Sequence, residues 1–315
     1  MKRTQKPAPK IRLSKPLRRF DYQLVQARMD GLLFNVDRHL QRLKGQQPHN
    51  RTADRCLSLL DVLLRFARNS YHAVWFLTAD TPPDHHRRPN YVLVVPSINR
   101  QLLDLLFSLV YMLDDFEARS LRYQRAGWRE AREEYQKFKT HFSADPAWKQ
   151  HFMNLRDNLT MMVSAFGITP EQQQDPSSIQ YWRHPGELKD EQTPSRPFLR
   201  YLDKWLYADT SAQAHLSFGG LIPVAVFLVA DLVGGQPQQF VEERIIQQYR
   251  FMHTSRTAIV TLAIATEIDV YLKLGYKDDA LYLWRVFCDY VEEAKEMFEN
   301  RYEERLASYT TSATP

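Results

Sequence analysis

The sequence predicts an all-α protein, an irregular bundle of about eight or nine helices. Three observations carry that prediction. Only ten of the 315 residues are glycine, and long stretches hold no breaker. A β protein would need turn residues every eight to twelve positions or so. Apolar residues also recur at helical spacing in segment after segment. Two stretches, about 96–117 and 216–233, are apolar on nearly every side, which places them at the centre of a bundle. The 44% hydrophobic and 25% charged fractions are ordinary for a soluble globular chain with a sizeable core.

The chain opens on a basic segment. Residues 1–20 hold eight Lys or Arg and no acid. Without them the rest carries 34 basic and 37 acidic residues, a net charge of −3. The overall +5 therefore belongs to the tail, which is expected to be a disordered, solvated terminus that could touch nucleic acid or an anionic surface. It has no apolar core of the secretory kind, so no leader is expected. Cys56 and Cys288 are far apart and have no CxxC partner. That argues against a disulfide framework or thiolate zinc site and for a reducing, cytoplasmic setting.

Residues 21–308 then read as one helical domain. Asp21–Lys44 is amphipathic through Leu24, Leu32, Val36, Leu40 and Leu43, and GQQPHN ends it. Arg51–Ala79 carries a stripe that includes Leu60, Leu64, Ala67, Tyr71 and Trp75. Pro82, Pro83 and Pro89 make the next segment a loop. Pro96 suits a helix start, and Pro96–Glu117 is the first central helix, interrupted only by Arg100 and Asp104. A charged helix is expected over 120–143. Another is expected over Pro146–Phe166, with Trp148, Phe152, Leu155, Leu159, Met162 and Val163 buried.

Residues 167–196 show little periodicity and read as a long irregular loop, a boundary or a lid. Helix resumes at Pro197–His215 and runs into the apolar stretch 216–233, which Pro223 must kink. That stretch is near the length of a membrane span, but Gly219, Gly220, Pro223 and Asp231 lie within it. A core helix is the expected reading and a membrane protein is not. Phe240–Leu274 is a long helix with one apolar face, capped at Gly275. Lys277–Leu306 is the last helix, and residues 309–315 fray.

Three sets of residues could carry chemistry. Tyr207, Ser211 and His215 stand four apart, so on a helix they form one polar ladder able to relay a proton. Arg100 and Asp104 stand one turn apart in the apolar helix, where an uncompensated charge is costly. They read as a structural ion pair or as an anion-binding arginine held by its aspartate. Arg65 and His72, with Arg68 and Asn69 between them in RFARNSYH, approach the Arg–His spacing of small helical ribonucleases of the HEPN type. Metal and cofactor signals are weak. There is no HExxH, paired ExxH, Gly-rich phosphate loop, GxSxG elbow or Rossmann fingerprint. His85-His86 could bind a transition metal only adventitiously, and Glu267 and Asp269 should face different sides. No cofactor and no resident metal are expected.

The motifs RQLLDLLFSLVYML and YADTSAQAH resemble those of an all-helical, mostly bacterial family known as domain of unknown function 5677. Its pattern is Arg-x3-Glu in one helix and Tyr-x3-Ser-x3-His in a later one. Arg100 matches the Arg, Asp104 stands in place of Glu, and Tyr207, Ser211 and His215 match the second motif. The likeness spans roughly residues 55–290. It implies an all-α fold with these five residues in one polar cluster between helices, and no established activity. Three functions are therefore carried forward. The leading one is binding of a partner or small anionic ligand, with Arg100 as anchor. The others are a metal-independent ribonuclease using His215 or His72 with Arg100 or Arg65, and a purely structural bundle.

Overall fold

The computed structural model describes residues 21–46, 51–78, 93–204 and 238–309. Among these residues the regular structure is all helical, as expected. The second central stretch, 216–233, lies outside the described residues, as do the loop at 79–92, the basic segment 1–20 and the C-terminal residues 310–315.

Helix α1 (Tyr22–Gly45) starts at Asp21, whose carboxylate accepts the Leu24 N–H at 2.9 Å. That bond satisfies one of the otherwise orphaned first-turn donors. Val25, Met29, Leu32, Leu33, Val36 and Leu40 form its buried face. Helix α2 (Arg51–Thr78) runs back antiparallel to it, burying Leu60, Leu64, Ala67, Tyr71 and Val74. Helix α3 (Val95–Leu113) has Pro96 in its first turn and is buried on nearly every side. Its Leu102, Leu103, Leu106, Phe107, Leu109 and Val110 are wholly inaccessible, each contributing about 1.5–3 kcal/mol of transfer free energy.

The two helices expected over 96–117 and 120–143 are both present, but the break between them comes about four residues early. The chain breaks at Asp114 and Asp115, and α4 (Phe116–Phe142) begins there. Asp115 has φ −154° and ψ 73°, outside the helical region. Asp114 is taken up by a distant backbone, accepting the Ser195 N–H at 3.1 Å and the Ser195 hydroxyl at 2.7 Å. The base of α4 packs on α2 and α3. Its outer part pairs with α5 (Lys149–Phe166), which follows a short turn at Pro146–Trp148. No residue of α5 is fully buried, so its expected core stripe is only half covered. Trp128, Ile168 and Ile179 form a separate small core at the foot of this pair.

Residues 167–196 are more ordered than expected of an irregular loop. They contain α6 (Pro170–Gln174), closed by a Thr169–Gln172 capping box, and α7 (Pro185–Leu188). Ile168, Ile179, Leu188 and Ser195 are buried. Helix α8 (Arg196–Leu202) follows.

Helix α9 (Gln238–Leu272) is the centre of the described structure, packing against α1, α2, α3 and α10 (Lys277–Tyr290). It is not the one-faced helix its spacing suggests, because every residue from His253 to Asp269 is buried. Its end also differs from expectation. The left-handed residue that follows it is Lys273 (φ 54°), with Gly275 (φ 95°) adopting the same sign two residues later. The expected single helix over 277–306 is divided at Val291, which is extended at φ −129° and ψ 108°. Beyond it lie α11 (Glu292–Met297), one π turn at Phe298–Tyr302 and α12 (Glu303–Ala307). Trp284 of α10 stacks on Tyr302 at 4.7 Å between centroids. No helix among the described residues is long and apolar enough to cross a membrane.

Candidate functional site

Arg100 and Asp104 lie together as their spacing predicts. The Arg100 Nε donates to both Asp104 oxygens, at 3.2 and 3.3 Å. The two ends of the pair differ in setting. The arginine side chain is 9% exposed and the aspartate side chain 41%, so a buried guanidinium sits behind a carboxylate that faces solvent.

A second polar network begins at the preceding residue of α3. Asn99 is buried, donates its amide N–H to the His253 carbonyl at 3.1 Å, and accepts from the Thr257 hydroxyl at 2.5 Å. One turn away, Thr254 donates to the Thr78 hydroxyl at 3.1 Å, and Thr78 in turn donates to the Val74 carbonyl at 2.7 Å. The Arg250 guanidinium donates to the Thr78 carbonyl. Arg256 pairs with Glu293 of α11 at 3.1 Å, both side chains less than a tenth exposed. The end of α2, the start of α3 and the middle of α9 are thus joined by hydroxyls, an amide and arginines.

His253 lies in the middle of this cluster. It is fully buried, and neither ring nitrogen has a hydrogen-bond partner among the described residues. The Tyr249 ring lies against it, 4.1 Å between centroids. Burial, and then the nearby Arg256 charge, push its pKa well below the ordinary imidazole range. The imidazole is therefore neutral, with one donor and one acceptor nitrogen.

Sequence reasoning missed Asn99, Thr254, His253 and Thr257. A signal for them existed. HTSRT, residues 253–257, is a polar block that runs into AIVTLAIA with no turn residue between. A helix that continues unbroken from one into the other must bury the polar block or leave the apolar one exposed.

The other predicted site residues are placed differently. Tyr207, Ser211 and His215 lie outside the described residues. His72 Nε2 is 2.9 Å from Asp30 of α1. Arg65 donates to Asp61 at 2.8 Å and lies 3.6 Å from Asp37, and Arg68 donates to Asp37 at 2.9 Å. These groups form a charged ladder along the α1–α2 seam, and neither Arg65 nor His72 is bonded to Arg100.

Glu267 and Asp269 do face different sides, each within its own network. Arg301 clamps Glu267 with two bonds, at 2.8 and 3.1 Å, and Arg305 adds a third at 3.1 Å. Arg301 also donates to Ser195 at 3.0 Å, which joins the network to Asp114. Burial disfavours the Arg301 charge, yet Glu267 holds its pKa above the ordinary value. Asp269 accepts from Tyr309 at 3.0 Å and from the Tyr276 N–H at 3.1 Å. Burial raises its pKa. Both networks fasten the C-terminal helices to α9.

No protein-family model matches the chain, and neither the curated proteins nor the solved structures contain a match. The likeness to family 5677 accordingly rests on the motif residues alone, and the functional reading rests on the chemistry of the cluster around Arg100 and His253.

Proposed function

We propose that the protein binds a small anionic ligand, or an anionic group on a partner, through the polar cluster between α2, α3 and α9. Arg100 is its anchor. The observation that supports this reading is the buried Arg100 guanidinium behind the solvent-facing Asp104 carboxylate. A guanidinium offers a planar fork of donors that matches carboxylate and phosphate, and an incoming anion competes with Asp104 for it. The hydroxyls of Thr254 and Thr257 already donate within the network that links α2, α3 and α9, so the Arg100 guanidinium is the donor group offered to the anion. On the family likeness, Tyr207, Ser211 and His215 would add three more polar groups to the same cluster.

Thermal unfolding with inorganic phosphate or a nucleoside monophosphate tests the reading. The wild type is expected to gain about 2.7 kcal/mol of stability at a hundredfold excess over Kd. Arg100→Gln should abolish the gain. Asp104→Asn, which keeps the arginine and removes its competitor, should enlarge it. If neither probe shifts the wild type, or if Arg100→Gln responds as the wild type does, the reading fails. A ribonuclease site at Arg65 and His72 has less support, because carboxylates of α1 and α2 already hold both groups. Metal-independent RNA cleavage by the wild type, lost in His72→Ala, would reinstate it.

A further inference from the structure

The α1–α2 hairpin buries one side and leaves an apolar line on the other. On α2, Val62, Phe66, Asn69, Ala73 and Phe76 are all exposed, Val62 at 60% and Phe76 at 58%. Their spacing of four, three, four and three is the seam of a coiled coil, with one Asn at its midpoint. On α1, Leu24, Ala27, Gly31 and Phe34 form a second exposed line. Phe34 is 56% exposed, and a Cβ on Gly31 would meet nothing within 4 Å. The ladder between the helices fixes their register. Asp30 meets His72, Asp37 meets Arg68 and Gln41 meets Asp61, which sets Phe34 level with Asn69.

We infer that this face is the interface of a homodimer, a second copy of the chain packing on it about a two-fold axis that passes by Asn69 and Phe34. Such an axis makes the seam self-complementary. Phe66 meets Ala73 of the other copy, large against small, and Val62 meets Phe76. Asn69 meets Asn69, where two amides can bond each other, the device that fixes register in helix pairs. On α1, Phe34 meets Phe34. Arg38, which has no ion-pair partner among the described residues, comes opposite Asp30. The ladder sets Asp30, Asp37 and Asp61 against Lys44, Arg65, Arg68 and His72, so the facing surfaces carry little net charge to repel.

The extent sets the expected strength. Val62 to Phe76 rises about 21 Å, and two helices side by side span about 20 Å. The footprint is roughly 420 Å² per copy, about half of the ~800 Å² of a standard interface, which is the size of a weak, concentration-dependent dimer.

Sedimentation of the full chain from low to high micromolar concentration tests this. A monomer–dimer equilibrium is expected, weakened about thirtyfold or more by Phe66→Glu. The helical signal and melting of that variant, recorded alongside, should stay those of a folded protein, since Phe66 is exposed. The register is tested by mixing Phe66→Cys and Ala73→Cys proteins under mild oxidation. Cross-linking should join Phe66→Cys to Ala73→Cys in preference to Phe66→Cys with itself. A chain that stays monomeric throughout, a dimer untouched by Phe66→Glu, or preferential self-linking of Phe66→Cys would overturn the proposal.

Discussion

His253 gives the bundle a dependence on pH. In the unfolded chain its imidazole takes up a proton near pH 6.5. In the fold, burial and Arg256 keep it neutral to well below that value. The unfolded state then binds more protons, so stability is complete above about pH 6.5 and falls as pH drops through it, by up to about 1.4 kcal/mol per pH unit. Denaturation of the wild type and His253→Leu at about pH 7.5 and 5.5 checks this. The wild type should lose more stability on acidification, the other histidines being common to both proteins, and equal losses would show that the buried ring is protonated in the fold. Glu267 makes a different case. Its side chain is wholly inaccessible and answers Arg301, itself 9% exposed, and Arg305. Removing one partner strands a buried charge, so Glu267→Gln should cost about 3–5 kcal/mol in urea denaturation. Replacing Glu267 and Arg301 together by leucine should cost clearly less than the two single changes added.

At the scale of elements, the break between α3 and α4 is where local pattern and tertiary demand part. Asp114 gives both oxygens to Ser195, and Ser195 is linked through Arg301 to Glu267. Asp114→Ala removes the anchor for the end of the 167–196 segment. Hydrogen exchange around Ser195 should quicken, with a stability loss of roughly 1.5–3 kcal/mol for bonds to a charged group. Unchanged exchange there would mean that Leu188 and α8 alone hold the segment down. The same break shows what was legible beforehand. The apolar spacing of α1, α2 and α3 announces each helix, because burial of one face is written in a period of about 3.6. Arg100 and Asp104 stand out because charge is rare in such a stripe. The ends of α3 and α10 are hidden, since Asp114 is claimed by Ser195, 81 positions on, and Val291 is extended with no glycine or proline beside it. The burial of α9 is hidden too. Thr254, Arg256 and Thr257 read as a wet face until α2, α11 and α3 supply their partners.

The whole molecule joins parts of unequal burial, and that inequality should be measurable. From His253 to Asp269 α9 has no exposed residue, so its amides can exchange only when most of the surrounding helices come away. The outer half of α4 with α5 is the opposite case. Nothing in α5 is fully buried, and Met161 is 63% exposed. Its cohesion comes from rings, with Phe142 stacked on Trp148 at 4.5 Å and Phe138 at 5.8 Å from the same indole. The join to the body runs through residues 166–182, where Trp128, Ile168 and Ile179 form a small core, Arg125 and Arg129 of α4 donate to the Gly167 and Ile179 carbonyls, and Trp182 donates to Ser108 of α3 at 3.1 Å. A unit with few buried contacts opens at a free energy well below that of global unfolding. Native-state hydrogen exchange should therefore resolve two classes. Amides of α5 should exchange through local opening that denaturant barely affects, and those of α9 from 258 to 268 through an opening whose denaturant slope equals the global one. Trp148→Ala should quicken the first class and leave the second unchanged. If both classes respond alike, the pair of helices is not a separate cooperative unit but unfolds with the core.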